Sequence, residues 1–132
     1  MRYGVVIAGL LAAAGGAVAA GPLVQVTPGE WQVHEIGSTA APVAACVRDV
    51  ARLVQWRHGA QRCAQVPAGT DGRRTTIYYE CGRGGQGQTV LTVENPALVR
   101  IQTQGLAAGQ PFDLDLEARR VGACRTGAVA SR

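Results

Sequence analysis

The sequence predicts a mainly β fold: a single antiparallel, strongly curved sheet or partly open barrel, carrying one short helix and two disulfides. Three observations lead there. Turn residues recur at short intervals with strand-like segments between them, the spacing of an antiparallel β domain. Residues 112–119 (Phe112-Asp113-Leu114-Asp115-Leu116-Glu117-Ala118-Arg119) alternate apolar and charged side chains, so one face must be buried and the other wet. Finally, Cys46, Cys63, Cys81 and Cys124 follow a stretch with the character of an export signal, and an even cysteine count in an oxidising compartment reads as two disulfides.

The elements follow in order. Residues 1–20 read as a signal peptide: Arg2 supplies the charge, residues 5–11 begin an apolar core, and Ala17-Val18-Ala19-Ala20 gives a small-residue exit, with cleavage expected after Ala19 or Ala20. Glycines and Pro22 interrupt this stretch, which argues against a retained membrane span of about 20 apolar residues. Residues 21–132 then form a single disulfide-stapled β domain, of a length that supports one core.

The first strand is expected over residues 30–36, and residues 41–46 and 63–66 also read as strands. Between these two lies a break in the rhythm. Across residues 47–58, Val47, Val50, Ala51 and Val54 fall at helical spacing, with Leu53 and Trp56 alongside. Asp49 is placed to cap that helix, Arg57 and His58 suit its negative end, and Gly59 terminates it. It is expected to pack Val50 and Trp56 against the sheet. Residues 73–81 put Thr75, Ile77, Tyr79 and Cys81 on one face and Thr76, Tyr78 and Glu80 on the other. Residues 89–93 and 98–103 flank Asn95-Pro96 as a hairpin, and residues 112–119 close the sheet.

Four cysteines allow three pairings. The expected one is Cys46–Cys63 with Cys81–Cys124, the first clamping the helix onto the sheet and the second fixing the last strand. These loops hold 18 and 44 residues, for which chain entropy gives about 3 and about 4 kcal/mol. A redox or metal role is disfavoured, because there is no C-x-x-C pair and the spacings of 17, 18 and 43 positions match no zinc pattern.

Other chemistry finds little footing. His34 and His58 are the only histidines, and no spacing brings either to Glu35, Glu80 or Asp49; a helix-end electrostatic role accounts for His58. Ser38 and Ser131 sit in no G-x-S-x-G elbow. Asp113 and Asp115 share a face by strict alternation. The Gly82–Gly87 run lacks the lysine and helix of a phosphate loop, so it reads as a flexible hairpin connection. The chain is basic, with 13 Lys+Arg against 9 Asp+Glu, but contains no lysine. Arg73-Arg74 and Arg119-Arg120 are scattered pairs rather than a run, so they read as ordinary surface and no nucleic-acid partner is expected. No catalytic residue, metal site or cofactor is expected.

Several of these residues together resemble a family of small exported proteobacterial proteins, the domain of unknown function 3617 family. The resemblance rests on Pro28-Gly29-Glu30-Trp31, on Cys46 followed by a short helical stretch and Cys63, on an aromatic-bearing strand ending in Cys81, and on Gly122-Ala123-Cys124. It spans about residues 26–124. It implies a secreted or periplasmic, mostly antiparallel β domain with paired cysteines, and brings no catalytic residue.

The leading functional expectation is a non-enzymatic periplasmic or secreted β domain, monomeric and without a membrane span once mature, that binds an envelope protein or a small apolar ligand. In a strongly curved sheet, Trp31, Val33, Ile77, Tyr79, Leu91, Val99, Phe112 and Leu114 surround the interior; small barrels are usually packed solid, so core filling is favoured over a cavity. An inhibitory or structural protein-interaction module using an edge or an arginine surface is the second reading. A small hydrolase or thiol enzyme is the third; it would require a histidine to meet a carboxylate or cysteine in one cleft.

Overall fold

In a computed structural model, described over residues 21–125, alternation wins along most of the chain. The strands are β1 (Gly29–Glu35), β2 (Val43–Val47), β3 (Ala64–Asp71), β4 (Arg74–Glu80), β5 (Gly85–Asn95), β6 (Leu98–Ala107) and β7 (Gln110–Gly122). They form one seven-stranded, unclosed sheet in the order β2-β1-β7-β6-β5-β4-β3, every pairing antiparallel. β3 to β7 are a simple meander; β1 then lies against the last strand and β2 takes the far edge. The expected signal peptide and Ser131 lie outside the described residues.

One face of the sheet carries the core, as the period-two pattern requires. Directly paired rows include Leu91–Ile101–Leu116 and Val93–Val99–Ala118–Val33, nearly all without solvent contact. Of the eight residues expected around the interior, Trp31, Val33, Ile77, Tyr79, Leu91 and Val99 belong to this buried cluster, and Phe112 and Leu114 pack against it. They fill a core rather than line a chamber. Trp31 satisfies its indole by donating to the Thr27 carbonyl at 3.1 Å.

The helical excursion covers this inner face, but more briefly than its spacing predicts. Helix α1 spans only Ala51–Val54, and a 3-10 turn follows over Trp56–His58. Asp49 does act near the start, accepting from the Ala51 amide at 2.9 Å. Gln55 leaves helical geometry (φ −104°, ψ 37°). Its buried side chain donates to the carbonyls of Gly59 (2.9 Å) and Gln61 (2.6 Å), so it organises the turn that ends the helix. Local side chain to backbone bonding of this kind competes with helix continuation. Leu53 and Val54 are the fully buried residues of α1, with Val50 and Trp56 half-buried beside them. Thr89 donates to the Val54 carbonyl at 2.6 Å and shares a hydrogen bond with Thr103, its cross-strand partner, at 2.8 Å. That buried threonine pair ties α1 to the middle of the sheet.

The disulfides are Cys46–Cys124 and Cys63–Cys81, which corrects the expected Cys46–Cys63 and Cys81–Cys124. Strand order gives the reason. Cys46 ends edge strand β2 and Cys63 precedes the opposite edge strand β3, so the excursion between them crosses the inner face from one edge to the other. No bridge can join cysteines so placed, since Cα atoms must approach within about 7 Å. Glu30 pairs with Cys46 on one side and Gly122 on the other, which brings Cys124 across the start of β1 to Cys46. Ala64 pairs with Glu80, and one further step of the β3–β4 hairpin sets Cys63 beside Cys81.

Candidate functional site

Because the excursion covers only the inner face, the other face of the sheet carries no second layer among the described residues. On it stand Thr76, Tyr78 and Glu80 of β4, as alternation predicts, with Gln86 and Gln88 of β5, Gln102 and Gln104 of β6, and Asp113 and Asp115 of β7 in register. Near the β3 edge this open face becomes concave. A groove of about 700 Å³ is lined there by Val66, Tyr78, Glu80, Gln86, Gln88 and Gln104, with Tyr79, Gly87, Gly105 and Phe112 at the intervening positions. Tyr78 and Val66 are 51% and 61% exposed, so the groove presents an aromatic plate and an aliphatic neighbour to solvent.

The groove sits where two glycines face each other. Gly87 and Gly105 are a directly paired couple in β5 and β6. A Cβ on Gly105 would collide with the Gln86 carbonyl and the Gly87 Cα, and a Cβ on Gly87 would overlap the Tyr79 ring. Only glycine permits that approach, and glycine in a strand interior marks this kind of close passage or bend.

Beneath the groove, on the inner face, His58 fixes the same end of the sheet. Its Nε2 lies 3.0 Å from both the Gly84 and the Leu106 carbonyl. Carbonyls only accept, so Nε2 carries the hydrogen and Nδ1 meets the Tyr79 hydroxyl at 3.0 Å. Edge-to-face contacts with Tyr79 and Phe112 complete the pocket around the ring. Burial pushes the Tyr79 phenol above its ordinary value, against the opposing effects of a hydrogen bond with Thr103 and the charge of Arg57. The helix-end role expected for His58 is thereby corrected: the ring is 3% exposed and turned into the core.

The remaining sequence candidates do not converge. His34 stands on the open face of β1 opposite Glu117, so the two histidines occupy opposite faces of the sheet. Ser38 accepts from the Ala40 amide within a turn. Asp115 binds Arg100 through a bidentate pair (2.9 and 2.5 Å) that holds its carboxyl below the usual range. Arg73 pairs with Glu94 and Arg119 with Glu117, while Arg120 donates to the Pro28 carbonyl. The Gly82–Gly84 segment is a 3-10 turn closed by the Cys81 amide bonding to the Gly85 carbonyl, which leads directly into β5. All four cysteines are consumed in disulfides. Among the described residues no three of His, Cys, Asp and Glu gather in a way that would hold a metal, and no helix is long and apolar enough to cross a membrane.

Sequence reasoning passed over the groove residues. The signal available was the paired recurrence of glutamine beside glycine, Gln86-Gly87-Gln88 and Gln104-Gly105, on two neighbouring strands. No family model matches the chain, and no curated protein or solved structure matches it either, so the family resemblance stands on its motifs alone.

Proposed function

We propose that this chain is an exported, non-enzymatic binding domain whose ligand or envelope partner seats in the groove of the open face. The observation that carries this reading is the groove itself. A volume of about 700 Å³ with an exposed tyrosine among convergent amides and a carboxylate has the size and mixed lining of a ligand site. Export is supported by the signal-like pattern of residues 1–20 and by two disulfides, which form and persist outside reducing compartments. The interior is taken by the core, which moves the expected binding role from inside the sheet to its outer surface. Strand addition at the β3 edge is opposed by Pro67 and by the bulge between Pro67 and Gly69, both of which blunt an edge.

Native mass spectrometry of protein purified from its own compartment tests this reading. A start at Ala20 or Gly21 and a retained molecule that is lost from Tyr78→Ala are expected. An uncleaved N-terminus overturns export. A molecule retained equally by Tyr78→Ala, or none retained, overturns the groove.

A further inference from the structure

We infer that the groove takes a neutral carbohydrate chain, an inference that rests on the groove being the binding site. The lining holds one carboxylate, Glu80, and no arginine, although the whole chain is cationic at +4. A polyanion attracted by the overall charge would therefore meet a wall of the wrong sign.

The hydrogen-bonding capacity is equally selective. The side-chain amides of Gln86, Gln88 and Gln104 and the carboxylate of Glu80 make no hydrogen bond or ion pair within the described residues. Each amide offers both donor and acceptor atoms, and so does each sugar hydroxyl. The main chain contributes little, because β4, β5 and β6 are all interior strands whose backbone groups are engaged on both sides. A peptide, which binds a sheet chiefly through backbone pairing, would find a free ladder only at the β3 edge, where Pro67 and the adjoining bulge oppose pairing. A polyhydroxylated ligand needs side-chain groups only.

Tyr78 supplies the apolar counterpart. It pairs directly with Val66 on one side and Gln88 on the other, and Gln88 with Gln104, so ring, methyls and amides form one row across four strands. A sugar ring has an apolar C–H face and a hydroxylated rim; laid on Tyr78, its face is buried while its rim meets the amides. The row belongs to strands rather than loops, which fixes its geometry before binding. A groove of about 700 Å³ accommodates roughly two or three sugar rings.

The test is titration of the ¹⁵N-labelled, disulfide-bonded protein with maltotriose, cellotriose and tri-N-acetylchitotriose, all neutral, and separately with N-acetylated tetra-alanine amide, observed at the glutamine side-chain amides. At least one trisaccharide is expected to shift the Gln86, Gln88 and Gln104 signals saturably. Tyr78→Ala, a change at an exposed ring, is expected to weaken that binding at least tenfold with the backbone spectrum preserved. Binding unaltered in Tyr78→Ala, or no trisaccharide shifting these amides, overturns the inference. Shifts of these amides by the peptide alone reject carbohydrate while keeping the groove as the site. Silence at these amides with every probe, together with a native molecule that survives Tyr78→Ala, rejects both readings.

Discussion

Replacing His58 by phenylalanine isolates the polar contribution of the buried ring. Phenylalanine keeps an aromatic ring for the edge contacts with Tyr79 and Phe112, centroids 5.2 and 5.7 Å away, but offers no hydrogen bond. Three bonds near 3.0 Å are removed: to the Tyr79 hydroxyl, the Gly84 carbonyl and the Leu106 carbonyl. A net hydrogen bond is worth about 1 kcal/mol, and a buried group stripped of its partner costs about 1–3 kcal/mol. The penalty is moderated because the Gly84 carbonyl keeps the Ala108 amide at 3.1 Å. The expected loss is therefore about 2–4 kcal/mol. Urea unfolding of the oxidised protein measures it, with the disulfides holding the variant above its unfolding threshold. A double-mutant cycle with Tyr79→Phe should show a coupling of about 1 kcal/mol. A loss below about 1 kcal/mol, or independent effects of the two changes, would refute the assignment of His58 as the tie between the turn and the sheet.

Three further outcomes are expected. Non-reducing proteolysis with mass spectrometry should recover peptides joined Cys46–Cys124 and Cys63–Cys81, whose sequence separations of 78 and 18 imply about 4.5 and about 3 kcal/mol on replacing each pair by alanine; a Cys46–Cys63 peptide would contradict the strand order. Ala108 is the one non-glycine with positive φ (49°) among the described residues and shares the β6–β7 turn with Gly109 (φ 78°), so Ala108→Gly should stabilise by about 0.5–1 kcal/mol in thermal unfolding. Tyr79 has a raised folded-state value, so its contribution is complete below the ordinary value of 10.0 and is lost as pH rises through the folded one; stability should fall across that alkaline window, with a shallower fall in Tyr79→Phe.

Most of the sheet was legible because its residues obey a rule that is local. The strict alternation of residues 112–119 identifies β7 and its buried face, and Asn95-Pro96 marks the β5–β6 turn, where the Ala97 amide bonds to the Asn95 side chain at 2.8 Å. The fold class, single sheet, short helix and two disulfides follow from the same signals. What was misread depends on distant partners. His58 stands at the end of a helical turn in the sequence, but its three partners lie 21, 26 and 48 residues away. The disulfide pairing fails for the same reason: local periodicity says that strands exist, not that β2 and β3 are the two edges. The helix is shortened by Gln55, whose amide finds carbonyls in the loop beyond. The groove is not legible locally because its lining is assembled from β3 to β7, each strand adding only one to three positions.

The disulfides are nested, Cys63–Cys81 lying within the span of Cys46–Cys124, and this imposes an order in time. A chain emerging N-terminus first presents Cys46 and Cys63 together long before Cys124 exists. The β3–β4 hairpin can draw Cys63 to Cys81 as soon as β4 has emerged, whereas Cys46 must wait for β7 to dock against β1. Until then Cys46 is a free thiol beside an exposed edge, and the earliest oxidation open to it is the wrong one. Correct pairing thus depends on hairpin formation outpacing oxidation, or on a disulfide isomerase that releases Cys63 from Cys46; oxidative refolding from the reduced chain should accumulate a Cys46–Cys63 species when oxidant is fast and isomerase is absent.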